Sequence, residues 1–477
     1  MSPAGGLDRR PHRRARRRPT AGNGALLLLG RSAGNARLWL AVAVGLALSG
    51  GRFPRRAALR GLFALGLASG ASGPVKLAFR RRPPVTGRRS RRLPRLPEPE
   101  AWSLPSQHTA SAFAFAVGAG QEVPVLAGPL LALATLVGYS RVHAGADCPS
   151  DAAVGAGLGA VAGLLTRRLW PVAPHEPADV RTALTRAQVT PSPKGRGLVI
   201  VVNLGAGSSG RVAEELRREL PDAEVVEVED GGAFETAIAD AAERGCAVGV
   251  AGGDGSVNTA AALAADHGKP LFVVPGGTLN HFAYALGLET IADAARAVRE
   301  GRAVSVDRAL IDGHTFVNTA GIGSYVDLVD ARERLEDTIG KWPAVVVALA
   351  RVLRTATPVE LEIDGEPRRL WMMFIGNCRY HPAGFAPSWR ERLDDGQLDV
   401  RIVDGSHPWS RVRLLASVVT GRLGRCTSYE QRFVRTLTIR SLDGRLRLAR
   451  DGETFDGREE FTVAKADDPL LVYVPEP

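Results

Sequence analysis

Twice in the middle of this chain, an apolar run of strand length ends in a pair of glycines, and a helix-forming segment follows. The first case is Ala251-Gly252-Gly253-Asp254-Gly255-Ser256-Val257-Asn258, after Cys246–Ala251. The second is Pro275-Gly276-Gly277-Thr278-Leu279-Asn280, after Pro270–Val274. In open α/β sheets the C-terminal ends of parallel strands are where ligands bind. Glycines there let backbone approach a phosphate closely and aim N–H groups at it. One such turn is usually only a turn. Two at consecutive strand ends, spaced by a single βα unit, would lie side by side and share a ligand.

The flanking sequence alternates in the same way. Gly197–Asn203 reads as a buried strand, Arg211–Leu220 as a helix, Ala223–Val228 as a strand, Ala233–Arg244 as a helix and Ser256–Asp266 as another. Alternation at this spacing implies βαβ units and a parallel sheet. We assign 197–306 to a nucleotide-binding α/β lobe. After about Asp307 the pattern changes to short β-rich runs, among them Val359–Ile363, Leu398–Val403, Leu437–Ile439 and Leu470–Val474. They define a second, mainly antiparallel lobe over 307–477, with the option that the C-terminal strand returns to the first lobe.

The N-terminal part is of another kind. Five apolar blocks, Leu38–Ser49, Ala57–Pro74, Ser111–Gly120, Val123–Tyr139 and Ala152–Leu165, are rich in Ala, Gly, Leu and Val. Most are shorter than the ~20 residues of a membrane-spanning helix. Gly61, Gly66, Gly155 and Gly159 suit close helix contact in lipid. We read 36–170 as an all-α membrane helical bundle, 1–35 as a basic disordered terminus and 171–196 as a Pro-rich linker. A soluble bundle is the competing reading. The net charge is +11 over 477 residues, and the arginine runs at Arg13–Arg18, Arg80–Arg82 and Arg88–Arg92 all fall in the first hundred. Basic runs beside apolar blocks point to an anionic membrane surface and not to nucleic acid. The four cysteines, Cys148, Cys246, Cys378 and Cys426, have no metal-ligand spacing, so neither zinc nor a disulfide framework is expected. The N-terminus lacks the form of a signal peptide.

The region from Leu198 to Val474 resembles the diacylglycerol kinase catalytic family, which includes sphingosine kinases and bacterial lipid kinases. Asn203 with Gly205 and Gly207 is similar to that family's opening turn, with Leu204 at the usual proline. Gly252, Gly253, Asp254, Gly255, Ser256 and Asn258 resemble its nucleotide loop, with Ser256 where threonine is commoner. Pro275–Phe282, including Gly277 and Thr278, resembles its second loop, and Phe316–Gly323 the segment after the crossover. The resemblance implies ATP and Mg²⁺. Asp395 would supply a carboxylate to the metal, and Arg392 and Gln397 backbone oxygens, which suits a hard cation. In Asp451-Gly452-Glu453, Glu453 would be the general base that takes the proton of a lipid hydroxyl. Each of these two turns taken alone is an ordinary hairpin bend. The implied activity is phosphorylation of a lipid alcohol, foremost diacylglycerol to phosphatidic acid. Sphingoid bases or other lipid alcohols remain alternatives, as does a non-catalytic lipid-phosphate sensor or scaffold. A remote alternative is a dinucleotide-dependent oxidoreductase, from the literal G-x-G-x-x-G at Gly205–Gly210 with Glu227 and Glu229 downstream. That reading leaves the two glycine loops without a role.

Residues 55–168 resemble the type 2 phosphatidic acid phosphatase family. Lys76 and Arg82-Pro83, Pro105-Ser106-Gln107-His108, and Ser140-Arg141 followed by Asp147 and Asp151 follow its three motifs. Three departures stand out: Gln107 replaces a glycine, the Lys76-to-Arg82 interval is one residue short, and Asp147 occupies the position of the nucleophilic histidine. The resemblance implies a lipid-phosphate site with impaired phosphatase activity. The implied location is a cell membrane, multi-pass, with the kinase domain cytoplasmic. Oligomeric state is not legible.

Overall fold

In the computed structural model, the described residues are 36–81, 102–143, 146–180, 193–206, 209–229, 231–277, 280–327, 329–330, 357–382, 388–407, 409–420 and 422–476. The expected disordered terminus, Arg82, Thr278 and most of the linker therefore lie outside the described residues. The chain divides into two compact units, Met1–Ala173 and Pro174–Pro477.

In the first unit each apolar block lies in a helix: Ala36–Leu48, Arg52–Phe79, Gln107–Glu122, Pro124–His143 and Pro149–Leu169. Local chemistry sets their starts. The Ser106 hydroxyl caps Gln107–Glu122, and Pro149 stands in the first turn of Pro149–Leu169, where a missing N–H costs nothing. Gln107–Glu122 is the central helix, packed against Arg52–Phe79, Pro124–His143 and Pro149–Leu169. Gly155 faces it so closely that a Cβ there would stand 2.5 Å from the Ser106 carbonyl oxygen, and Gly159 meets the Ala110 carbonyl in the same way. Gly61 lies against the Phe115 ring, whereas Gly66 faces open space and makes no helix contact. Among the described residues, two helices, Arg52–Phe79 and Pro124–His143, are long and apolar enough to cross a membrane.

The apolar blocks are not free of charge. Arg60, fully buried, donates from Nε to Glu122 Oε1 at 2.8 Å, and Arg56 donates to Glu122 Oε2 at 3.1 Å. Both guanidinium groups also donate to the Pro171 carbonyl at 2.8 Å and stack on Trp170. This cluster ties three helices together at one end of the unit.

The second unit holds two large sheets. The first contains β1 (Leu198–Asn203), β2 (Glu224–Val228), β3 (Ala247–Gly252), β4 (Leu271–Pro275), β5 (Ala303–Val306) and β19 (Leu470–Tyr473), in the order β2-β1-β3-β4-β19-β5. All neighbours are parallel except β19 and β5. The expected second-lobe strand Leu470–Val474 thus belongs to this sheet. Its residues are nearly all buried, and a strand covered on both faces belongs inside a parallel sheet.

The second sheet is built from β6 (Ala309–Ile311), β7 (His314–Phe316), β8 (Thr319–Gly323), β9 (Val359–Ile363), β10 (Glu366–Asn377), β13 (Leu398–Asp404), β14 (Tyr429–Val434), β15 (Thr436–Ser441), β16 (Arg447–Arg450), β17 (Glu453–Asp456) and β18 (Glu460–Lys465). Its pairings are antiparallel, and β11 (Tyr380–His381) pairs with β12 (Trp389–Arg390) apart from it. The architecture is a helical unit followed by a parallel-sheet lobe and a β-rich lobe, the fold class expected from the sequence. In the first sheet the strand order reverses between β1 and β3. The C-terminal ends of those strands are Asn203 and Gly252, and the crevice beside them is the usual ligand position in such sheets.

Candidate functional site

β3 and β4 run parallel with Gly252 opposite Pro275, so the two glycine pairs leave the sheet at the same level. The Gly276 N–H donates to the Gly252 carbonyl at 3.1 Å. A Cβ on Gly276 would stand 2.8 Å from the Gly252 nitrogen, and one on Gly277 would stand 2.5 Å from the Gly253 Cα. The loops touch backbone to backbone, and no side chain fits between them. Asn203, at the end of β1, joins them: its Nδ2 donates to Ser256 Oγ at 2.9 Å, and its Oδ1 accepts the Gly205 N–H at 3.0 Å. In the second loop Asn280 adopts a left-handed backbone and its side chain both accepts from Gly277 N–H at 2.9 Å and donates to Gly277 O at 2.8 Å. Asn258 is buried and donates to the Thr315 carbonyl at 3.1 Å, reaching across to the β-rich lobe.

Asp254 opens the helix Asp254–Asp266 and links three segments. Its Oδ1 accepts the Phe282 N–H at 3.3 Å and the Asn318 side-chain amide at 3.4 Å. Asn318 is in turn held by the buried Arg390, which donates to Asn318 Oδ1 at 2.9 Å and to the Val317 carbonyl at 2.7 Å. The hairpin between β16 and β17 turns through Asp451 and Gly452, both with positive φ (43° and 91°), the geometry that Asp-Gly favours in a two-residue bend. The Asp451 carboxylate accepts the N–H groups of Val317, Asn318 and Thr319 at 2.8, 2.9 and 2.7 Å. Burial pushes its pKa up to about 7, against the pull of these donors, and the nearby Asp254 carboxylate raises it further.

This anchoring places Glu453. A Cβ on Gly255 would stand 2.6 Å from Glu453 Oε1, so the carboxylate rests on the first turn of Asp254–Asp266, beside the paired glycines. Glu453 is exposed. Asn203, Gly252, Gly253, Asp254, Gly255, Ser256, Asn258, Gly277 and Glu453 are thus brought together. Sequence reading overlooked Asp451, Asn318 and Arg390. The Asp451-Gly452 pair was visible only as a turn, and its carboxylate's role needs the distant 317–319 segment.

Asp395 lies in a second cluster. Its carboxylate accepts the N–H groups of Arg379 at 2.8 Å and Gln397 at 2.9 Å, and the Gln397 carbonyl accepts the Cys378 N–H at 2.9 Å. Asp307, Cys378 and Asp395 have ligand atoms within 4.8 Å of one another. Buried Lys465 contacts Asp307 Oδ2 at 2.8 Å. Burial pushes the Cys378 thiol up to about 12, so without a cation the proton stays on sulfur. Two carboxylates, beside a Gln397 carbonyl that keeps a second lone pair, suit a hard cation such as Mg²⁺. The Arg392 side chain pairs with Asp394 at 2.6 Å, which leaves its backbone oxygen out of that contact. Asp307 and Lys465 escaped the sequence reading because they are far apart in the chain.

In the helical unit Lys76, Ser106, Arg141, Asp147 and Asp151 meet at one end. Asp147 accepts from Ser106 Oγ at 2.6 Å and from Arg141 Nε at 3.0 Å. Lys76 donates to Gln107 at 3.3 Å. Arg81, one residue before the motif's Arg82, pairs with Asp151 at 3.2 Å. His108 lies in the first turn of the central helix.

Both units are similar to known proteins. The diacylglycerol kinase catalytic domain matches residues 197–311, and the PAP2 superfamily matches residues 57–173. The Pseudomonas aeruginosa (strain UCBPP-PA14) protein named "Probable lipid kinase YegS-like" is 30% identical over 298 residues, 59% of this chain and 95% of that protein. A diacylglycerol kinase of Bacillus subtilis (strain 168) is 31% identical over 182 residues, 36% of this chain and 59% of that one. A crystal structure of a diacylglycerol kinase from Bacillus anthracis str. Sterne, 19% identical, covers 58% of this chain and 96% of its own, with a TM-score of 0.42. The chain belongs to the diacylglycerol kinase catalytic family and is a lipid kinase, carried behind a helical unit of the PAP2 superfamily.

Proposed function

We propose that the unit from about residue 197 transfers the γ-phosphoryl group of ATP to the hydroxyl of a lipid alcohol, with diacylglycerol as acceptor and phosphatidic acid as product. One observation carries the reading: the Glu453 carboxylate rests against Gly255 at the start of a helix, directly beside two glycine turns in backbone contact. Backbone N–H groups at such turns bind phosphate oxygens, and the helix start adds positive partial charge. The touching glycines of the 252–255 and 276–277 turns would hold the phosphate chain, with Asn203 and Ser256 fixing the rim of the first loop. Asp254 and Asn318 would keep the two lobes in register. Glu453 would accept the proton of the lipid hydroxyl as its oxygen bonds to the γ-phosphorus and the bond to the β-phosphate oxygen breaks, releasing ADP. Mg²⁺ bound through Asp395, with the carbonyls of Arg392 and Gln397, would neutralise phosphate charge or hold the lobe boundary in shape. Phosphoryl transfer depends mainly on positioning and charge neutralisation, which this set of residues can provide.

The helical unit would keep the kinase at a cell membrane, with the kinase on the cytoplasmic side where ATP is available. The test is transfer of labelled phosphate from ATP to a panel of lipids: diacylglycerol, a sphingoid base and an isoprenoid alcohol. Labelled phosphatidic acid as the main product is expected. Preference for another alcohol would replace the acceptor, and nucleotide binding with no lipid labelled would favour a sensor.

A further inference from the structure

At one end of the helical unit, three cations meet the starts of two helices. Lys76 is in the last turn of Arg52–Phe79, Arg81 follows that helix, and Arg141 is in the last turn of Pro124–His143. Gln107–Glu122 and Pro149–Leu169 both begin here, and the Ser106 N–H donates to the Asp151 carbonyl at 3.0 Å, which fixes the two starts together. Guanidinium and ammonium groups beside helix N-termini make a setting for an oxyanion.

That setting already contains one. Asp147 is 4% exposed, and Arg141 holds it from two sides, with Nε at 3.0 Å from Oδ2 and Nη2 at 3.2 Å from Oδ1. Ser106 Oγ donates to Oδ2 at 2.6 Å. A fork of this kind accepts a carboxylate or a phosphate with the same geometry. The other cations are also matched to oxygens of the chain. Lys76 donates to Gln107 Oε1 at 3.3 Å, and Arg81 donates to Ser150 Oγ at 2.7 Å and Asp151 Oδ1 at 3.2 Å. Asp147 and Gln107 are two of the three departures from the phosphatase-like motifs. Each places an oxygen acceptor on a cation.

We propose that this cluster is a seat for a phosphate monoester and that the chain's own Asp147 carboxylate fills it, so the helical unit neither binds nor hydrolyses phosphate monoesters. Both Asp147 oxygens point at donors, so neither is free to attack phosphorus. A phosphate dianion would have to displace a carboxylate from Arg141 or sit beside it, and like charges at that range repel. Removing the charge at residue 147 frees the fork and opens the seat. This inference is independent of the kinase mechanism.

The test uses the full chain in non-ionic detergent, without ATP and with metal chelated. Binding of labelled orthophosphate and of a short-chain phosphatidic acid is measured for the unaltered protein, for Asp147→Asn, and for Asp147→Asn combined with Arg141→Gln. The kinase unit is common to all three, so differences report the helical unit. Asp147→Asn is expected to bind at least tenfold more tightly than the unaltered protein, and the double variant to lose that gain. A gain with both probes identifies a seat for phosphate alone, and a gain only with the lipid identifies one that also uses the acyl chains. Asp147→Ser, which keeps a partner for Ser106, repeats the comparison if Asp147→Asn melts early. The unaltered protein is also assayed for phosphate release, and none is expected. Equal binding by the unaltered protein, phosphate release by it, or a gain that survives loss of Arg141 would each overturn the proposal.

Discussion

Asp451 and Glu453 sit on either side of one glycine and divide the work of the hairpin that carries them. Asp451 is the anchor, accepting the N–H groups of Val317, Asn318 and Thr319. Glu453 is the exposed group that the anchor positions. Asp451→Asn can offer only one acceptor oxygen and turns an NH₂ toward the remaining donors. Leaving a buried N–H unsatisfied costs about 1–3 kcal/mol, so chemical denaturation should show a loss of that order together with reduced lipid phosphorylation. Asp451 also predicts a pH dependence, because burial raises it from an ordinary 3.8 to about 7. A raised folded-state value favours folding while the group is protonated. That contribution is complete below the unfolded value of 3.8 and is lost as pH rises through about 7. Activity runs the opposite way, since only the ionised group fully accepts all three N–H groups. Turnover should therefore fall as pH drops through about 7, and a pH–rate profile that is flat from 6 to 8 would contradict the assignment. The sequence exposed Glu453 through its place in an Asp-Gly-Glu bend. Asp451 was visible only as turn chemistry, because its partners come from a segment remote in the chain.

At the level of elements, the glycine turns after β3 and β4 make the candidate site. Their pairing was legible because both follow apolar strands and are separated by one helix, which forces them onto the same edge of a parallel sheet. Their backbone contact was not legible, because it depends on the exact level at which each strand ends. Gly277→Ala would bring a methyl group to 2.5 Å from Gly253 Cα, a backbone atom that cannot swing aside. Overpacking of this kind costs about 1–3 kcal/mol. We expect a similar loss of stability and a larger loss of nucleotide affinity, measurable by thermal melts with and without ATP. Gly268→Ala is the control for the first effect only in part, since it faces open space but carries a positive φ of 61°. The destination of β19 was the element least legible from sequence. Its run Leu470–Tyr473 has no alternation to set a face, and only the gap between β4 and β5 decides where it goes.

Across the whole molecule, the change from Ala-Gly-rich helices to βαβ alternation marked two kinds of fold in one chain. Composition supplied that distinction because apolar blocks and period-two strands differ in length and spacing. It did not reveal that the helical unit is pinned by charge. Arg60 lies within an apolar block and Glu122 at the end of another helix, and both are fully buried in one ion pair. Glu122→Gln leaves Arg56 and Arg60 without their carboxylate. Breaking a buried pair from one side typically costs about 3–5 kcal/mol, so the helical unit should melt markedly earlier, as read by circular dichroism in detergent. The central claim for the chain is that Glu453 activates a lipid hydroxyl beside a nucleotide held by touching glycine turns. The most direct measurement compares the unaltered protein with Glu453→Gln for transfer of label from ATP to diacylglycerol in mixed micelles, alongside ATP affinity. The account predicts that labelled phosphatidic acid falls by roughly a hundredfold or more, in the range expected for losing a general base, while ATP binding is retained. Undiminished lipid labelling by Glu453→Gln would contradict it.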